Sequence, residues 1–369
     1  MPVEFLGIAT TNDASETSAR STAAFDPAYL ERIVRAHEDN GWTRVLFAYG
    51  SSGPEPAALA AYTASRLQSI ELLLAHRPNV SYPTYAAKTF ATLDQLSGGR
   101  LSVHFITGGN DHEQGREGDR LTKDERYART HEYIRIVKQA WTSREAFDHH
   151  GEFYDFEDFV LDTKPVEGHV PTVSFGGSSD AAFRVGAAEA DIYAVWGEPL
   201  ARTKEQIDRV HTEAAAAGRT TPPRIHAAFR PIVAPTEELA WEKAHRVLDR
   251  IEARKAELGG QLSRRHPIDK PENAGSQRLL EIAEAGDRYD TALWTATAKA
   301  TGGAGNSNAE ALLAYYDLGV RVISARGYDL LDDAVDFGRY VIPLVREGVA
   351  ARDRAAAEGA RAGAGERVA

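Results

Sequence analysis

The chain has 369 residues, of which 43% are hydrophobic and 26% charged, enough apolar material for a large core and too much for general disorder. A formal net charge of −11 would repel a phosphate backbone over most of the surface, so neither nucleic acid nor an anionic membrane is an expected partner. The absence of cysteine excludes disulfides, thiolate catalysis, zinc–thiolate sites and iron–sulfur clusters together. The opening MPVEFLGIATTNDASE lacks a basic region followed by an apolar stretch, and no run of about 18 apolar residues occurs anywhere, so a cytoplasmic protein is expected.

In chain order, apolar runs rich in β-branched or aromatic residues fall at Glu4–Ala9, Arg44–Ala48, Ile70–Ala75, Leu101–Thr107, Thr172–Phe175, Asp191–Trp196, Arg224–Val233 and Val320–Ala325. Their continuous hydrophobicity, as in IELLLA and VRVISA, suits strands of a parallel sheet buried on both faces. Between them, Asp26-Pro27 predicts an N-cap and first-turn proline for a helix carrying Leu30, Ile33, Val34 and His37 on one side. Pro83 opens a second helix, with Tyr85, Phe90, Leu93 and Leu96 expected on one side and Ser97-Gly98-Gly99 closing it. Further helices are expected through Tyr127, Ile134, Val137 and Trp141, from Ser179 or Asp180, and over Leu200–Ala217, Glu237–Leu258 and Asn308–Leu318. Strands alternating with helices in this number predict a (β/α)8 barrel of the TIM type, in one domain over 1–349. A doubly wound open sheet in two domains fits less well, because no long linker divides the strands.

Two stretches exceed a minimal barrel. Residues 146–162, dense in aromatics and acids, predict a small strand-like excursion before the fifth strand. The polar segment 259–305 predicts a lid-like insertion between the seventh helix and the eighth strand, a surface loop without a role being the alternative. Residues 350–369 form a low-complexity Ala/Arg-rich tail, expected to be frayed or helical.

Barrel enzymes work at the C-terminal ends of their strands, so the polar residues that end each run carry the functional information. No strand ends in lysine, which disfavours Schiff-base chemistry, and H-E-x-x-H, Walker-type and G-x-S-x-G motifs are all absent. The feature that stands out is Gly176-Gly177-Ser178-Ser179-Asp180. Its glycines would let a ligand approach the backbone, and its serines beside a helix start would suit a phosphate. The same residues also suit a plain N-cap after a tight turn. A phosphate-bearing organic cofactor is the economical way to give such a barrel a reaction, since no catalytic nucleophile is evident. On the seventh strand His226, Ala228 and Arg230 share one face; if that face looks inward, Arg230 sits near the mouth as a fixed cation. It would then need a ligand or an acidic neighbour such as Glu198.

The order FATLDQLSGGRLSVHFITGG, DERYARTHEYIRIVKQAW, PTVSFGGSSDAA, DIYAVWGEPL, GGAGN and ISARGYDLLDDA resembles the bacterial-luciferase-like flavin monooxygenases, most closely their alkanesulfonate branch. The resemblance implies a (β/α)8 barrel, reduced FMN and O2 as cofactor and co-substrate, a separate NAD(P)H:flavin reductase, and a homodimer or homotetramer. Carried over by position, it implies phosphate contacts at Ser178, Ser179 and Tyr127, and places His104 and Thr107 with the flavin. It also implies a substrate-side Trp196 and a Tyr328 facing the reacting centre. The chain departs from that branch at Ala228 and Arg230, where R-x-H is expected, at Thr301, where the lid arginine is expected, and at Gly53, where a cysteine is expected. Arg230 and His226 are therefore expected to form a different anion clamp, with Arg230 and Tyr328 acting on the reacting groups. The implied reaction is oxygenation of a small organosulfur anion, a sulfonate first. An F420-dependent hydride transfer, action on a sulfone or other heteroatom compound, a flavin-binding protein without turnover, and a lyase or isomerase on the same barrel are the alternatives.

Overall fold

The structure, a computed structural model, describes residues 2–257 and 305–365. Eight parallel strands, β1 (Glu4–Ala9), β2 (Arg44–Phe47), β3 (Glu71–His76), β4 (Leu101–Phe105), β7 (Thr172–Gly176), β8 (Ile192–Trp196), β9 (Arg224–Phe229) and β10 (Val320–Ala325), close in the order β1-β10-β9-β8-β7-β4-β3-β2. The helices α1 (Pro27–Asp39), α2 (Pro56–Ala64), α3 (Pro83–Ser97), α5 (Lys123–Thr142), α6 (Asp180–Glu189), α7 (Leu200–Ala216), α8 (Glu237–Glu257) and α9 (Gly305–Leu318) surround it, with α4 (Asp111–Gly115) in the β4–α5 connection. Two further helices, α10 (Leu330–Tyr340) and α11 (Ile342–Gly365), follow the last strand. The chain is a (β/α)8 barrel, and the open-sheet alternative is excluded by the pairing of β1 with both β2 and β10.

Strand alternation divides the core in two. Phe5, Phe47, Leu72, Phe105, Phe175 and Tyr193 point outward and are fully buried beneath the helices, each such side chain contributing roughly 1.5–3 kcal/mol. Leu6, Leu73, Ile192 and Val322 point inward and fill the barrel's middle. Below them Arg44, its side chain 3% exposed, pairs with Glu4 at 2.5 Å and Glu71 at 2.8 Å, and Arg224 also pairs with Glu4. This plug seals the N-terminal end, so a ligand has to enter from the other end.

Local chemistry explains the helix starts. The Asp26 carboxylate accepts from the amides of Ala28 and Tyr29, and Thr122 with Glu125 forms a reciprocal capping box on α5. Gly98 ends α3 in the left-handed conformation at φ 68°, as the glycine pair predicts. Several strands are shorter than expected: β9 stops at Phe229 rather than Val233, because Pro231 has no amide for the ladder, and β4 stops at Phe105 rather than Thr107. The buried side of α3 also differs from expectation. Phe90 and Leu93 are buried, whereas Tyr85 and Leu96 are 59% and 61% exposed. Ala86, Ala87 and Ala91 complete the buried stripe in their place, letting α3 lie close to the sheet.

The excursion at 146–162 contains an antiparallel hairpin of β5 (Phe147–His150) and β6 (Asp155–Phe159). Glu132 of α5 ties it down by accepting from the amides of Phe153 and Tyr154 at 3.1 and 3.0 Å. The expected insertion 259–305 lies, up to its last residue, outside the described residues. Helix α11 runs without a break through the start of the Ala/Arg-rich tail at Ala350.

Gly7 is required by a close approach rather than by a turn: a Cβ there would stand 2.0 Å from His37 Cδ2 of α1. Gly7→Ala is expected to destabilise the protein by about 1–3 kcal/mol. A double-mutant cycle in urea, with His37→Ala as the second change, should show this cost largely relieved; an additive result would contradict the assigned clash.

Candidate functional site

A cavity of about 480 Å³ opens at the C-terminal ends of the strands. Inward alternation on β9 brings His226 and Ala228 to it, with Arg230 just past the strand's end, and alternation on β4 and β7 brings His104 and Gly176. Leu6, Leu46 and Leu73 form an apolar base, so the cavity floor excludes charge unless a partner is supplied.

Two imidazoles stand on this base. His104 Nδ1 is 2.9 Å from Ser174 Oγ of the neighbouring strand, in a pair set by the His104–Ser174 register. His226 is 8% exposed and its Nε2 has no hydrogen-bond partner. Burial holds His104 down to about 4, while burial, aided by the nearby His104 and Arg44, holds His226 down to about 3. Both rings are neutral near pH 7. On the same cavity Gln206 of α7, 5% exposed, carries an amide nitrogen that also lacks a partner. Two buried nitrogens left open in one cavity are what a bound ligand would satisfy.

On the β7–α6 side the glycine pair is shaped by contact. A Cβ at Gly176 would stand 2.9 Å from the Ala194 carbonyl oxygen, and at Gly177, with φ 153°, it would stand 2.6 Å from Ala182 Cβ. Tyr193 fixes this turn by donating its hydroxyl to the Gly177 carbonyl at 2.8 Å. Ser178 lines the cavity; Ser179 is the N-cap of α6, its Oγ accepting from the Ala182 amide at 3.3 Å. The Tyr127 hydroxyl is hydrogen-bonded to Ser179, and burial raises its pKa, so it stays a neutral donor. The first-turn amides of α6 have no intrahelical acceptor and carry the positive end of the helix dipole. Glycine, serine, phenol and helix start thus form a cradle suited to a terminal phosphate, and FMN, with a flat ring that has a polar edge and one phosphate to hold, fits the residues present.

The rim beyond β9 and β10 is cationic. Arg230 lies 15% exposed and its acidic partner is Glu16, of the β1–α1 loop, at 3.0 Å; the expected neighbour Glu198 instead offers its carbonyl to Thr203 and Tyr315. Arg326, just after β10, pairs with the same Glu16 carboxylate at 2.7 Å. Burial pushes the Glu16 carboxyl up, but the two guanidiniums outweigh it and hold it down to about 2. Trp196 ends β8 at the mouth, 43% exposed.

The structure therefore brings His104, Gly177, Ser178, Trp196, His226 and Arg230 to one cavity, with Ser179 and Tyr127 at its β7–α6 edge. It does not bring Tyr328 or Thr107 to the lining. The Tyr328 ring is buried against Ile232, Ala240 and Ala244, with the Arg230 guanidinium 3.8 Å from its centre, and Thr107 is bonded to Thr130 of α5 at 3.3 Å. Sequence reasoning missed Ser174, which alternation on β7 would have found, and Glu16, for which no local pattern exists.

The luciferase-like monooxygenase family matches residues 4–321. Solved structures with a similar fold include riboflavin lyase (RcaE) with modified FMN and riboflavin, at 19% identity and a TM-score of 0.78, the match covering 94% of this chain and 92% of that one. EDTA monooxygenase (EmoA) from Chelativorans sp. BNC1 aligns at 17% identity and TM-score 0.75, over 94% of each chain. Coenzyme F420-dependent tetrahydromethanopterin reductase from Methanopyrus kandleri aligns at 16% identity and TM-score 0.67, over 93% of this chain and 99% of that one. At such identities the likeness is one of fold.

The neutral imidazoles give a pH prediction. His37, His76, His104 and His226 are held by burial to about 4, 3, 4 and 3, against 6.5 when exposed. Below that upper value the unfolded chain binds more protons, so these groups' contribution to stability is complete above it and is lost as the pH falls towards the lower values. Urea midpoints should drop from about pH 7 to about pH 5, and His226→Gln should lower the slope by about one proton. A flat profile, or an unchanged slope in the variant, would contradict the assignment.

Proposed function

Because the chain belongs to the luciferase-like monooxygenase family, we propose that it is the FMN-dependent oxygenase of a two-component system. A separate NAD(P)H:flavin reductase delivers the reduced FMN, dioxygen is the co-substrate, and the substrate is a small organosulfur anion. A sulfonate, releasing sulfite, is the first candidate. One observation carries this reading: a single cavity is lined by Gly177 and Ser178 at the start of α6, groups that suit a phosphate, and elsewhere by two arginines, Arg230 and Arg326.

Ser178, Ser179, Tyr127 and the Gly177 turn would hold the FMN phosphate. Reduced FMN supplies the two electrons that activate dioxygen. The chain's own contribution is environmental. Leu6, Leu46 and Leu73 keep water from the base, and the neutral His104 and His226 offer single hydrogen bonds without bringing charge into a dry site. Ser174 holds His104 through Nδ1 and so fixes the direction of its ring. Arg230 stabilises negative charge on the substrate and, during reaction, on the oxygen being transferred. Tyr328 acts through Arg230, its buried ring lying against the guanidinium, which makes it a positioning residue rather than a group facing the reacting centre.

Calorimetry with oxidised FMN tests the cradle. Wild type should release heat of association, and Ser178→Ala should weaken binding by about tenfold, the loss of one hydrogen bond to a charged group. Arg230→Ala should leave FMN affinity within about twofold while raising the KM of an anionic substrate by about tenfold or more. Substrates are then screened with FMN, reductase and oxygen, scoring sulfite release against hydrogen peroxide. No heat with FMN would overturn the reading, and F420 turnover under nitrogen without oxygen uptake would replace it with hydride transfer.

A further inference from the structure

Arg230 and Arg326 grip one carboxylate between them. Arg230 donates from Nη1 to Glu16 Oε1 at 3.2 Å and from Nη2 to Oε2 at 3.0 Å. Arg326 donates from Nη1 to Oε1 at 2.7 Å and from Nη2 to Oε2 at 3.2 Å. Each carboxylate oxygen thus receives one bond from each fork, the geometry in which guanidinium pairs recognise carboxylates, sulfonates and phosphates. Two cations against one anion leave a surplus positive charge.

The two sides of this grip differ in how they are held. Arg230 is fixed without Glu16: its guanidinium lies 3.8 Å from the Tyr328 ring centre, and it donates to the carbonyls of Gly327 at 3.2 Å and Arg326 at 3.4 Å. The Arg326 backbone is anchored to the Phe229 carbonyl at 3.1 Å. Glu16 instead has a side chain 38% exposed, on the loop between β1 and α1, which is tied down beside it where Thr17 Oγ1 donates to the Tyr328 carbonyl at 3.3 Å. Both arginines line the cavity, so an anion arriving there meets forks whose best donors already point at Glu16. An anion bound beside Glu16 would face its negative charge across a few ångströms, whereas one taking its place inherits four hydrogen bonds.

We propose that Glu16 is a built-in competitor for the substrate's anionic group: a sulfonate or carboxylate displaces it from the Arg230–Arg326 fork, and the displacement frees the loop carrying Glu16. This deepens the reading above, on whose anionic substrate it rests. Glu16 then determines specificity, since a neutral compound cannot displace it and a weakly held anion is outcompeted.

The test uses the full chain without flavin, titrated with methanesulfonate by calorimetry at fixed ionic strength. E16Q, which removes the competing charge, should bind methanesulfonate about tenfold more tightly than wild type, and E16Q with R326Q should lose that gain. E16D, which keeps the charge on a shorter arm, should fall between wild type and E16Q, and reads the same effect if E16Q fails to fold. In wild type, methanesulfonate should also accelerate trypsin cleavage at the exposed Arg20 of the same loop, measured against a trypsin control peptide. If the Glu16 variants bind the anion equally or more weakly, or if cleavage at Arg20 does not respond, Glu16 merely orients the arginines and the proposal is overturned. FMN is titrated into the same wild-type sample: FMN heat without an anion effect overturns this inference alone, and an anion effect without FMN heat overturns the cofactor reading alone.

Discussion

The pairing of β1 with β2 on one side and β10 on the other closes the sheet, and every functional feature follows from that closure. In a closed parallel barrel each strand gives alternate side chains to the interior, so the ladder register decides which residues can meet a ligand. Here the register sets His104 beside Ser174, and Ala194 beside His226. The charged plug of Arg44, Glu4, Glu71 and Arg224 closes one end, which leaves the C-terminal end as the entrance.

Charge is distributed along the barrel axis in a way that suits the proposed chemistry. The deep base is apolar, the middle holds imidazoles kept neutral by burial, and among the described residues lining the cavity ions appear only at the rim. An anion at the mouth is therefore drawn to the guanidiniums, while its uncharged body meets a dry surface. The Gly177–Ser178 turn before α6 and the arginine pair that follows β9 and β10 are separate groups on one cavity, so under the proposed function a cofactor and a substrate would be held independently.

Much of the fold was legible because parallel strands buried on both faces are written as uninterrupted apolar runs, and because Asp26, Gly98 and the 176–180 turn carry their local geometry in their residue types. Alternation grouped His226, Ala228 and Arg230 on one face of the seventh strand, but which of its two faces looks inward was decided only by the closed barrel. Details decided by packing were less legible. The α3 stripe is built on alanines, whose small size lets the helix approach the sheet, and hydrophobic pattern alone points to Tyr85 and Leu96. Glu16 is separated from Arg230 and Arg326 by 214 and 310 positions, so its role depends wholly on barrel closure. Tyr328 shows the same limit: its neighbours, not its residue type, turn its ring toward α8 and Arg230.

The central claim is that the FMN phosphate and the substrate anion occupy different elements of one cavity. Phosphorus-31 NMR of FMN titrated into the protein tests it most directly. The account predicts a shifted phosphate resonance whose bound position changes in Tyr127→Phe and stays put on adding methanesulfonate. A resonance indifferent to Tyr127→Phe and displaced by methanesulfonate would contradict it, because both anions would then share the arginine rim.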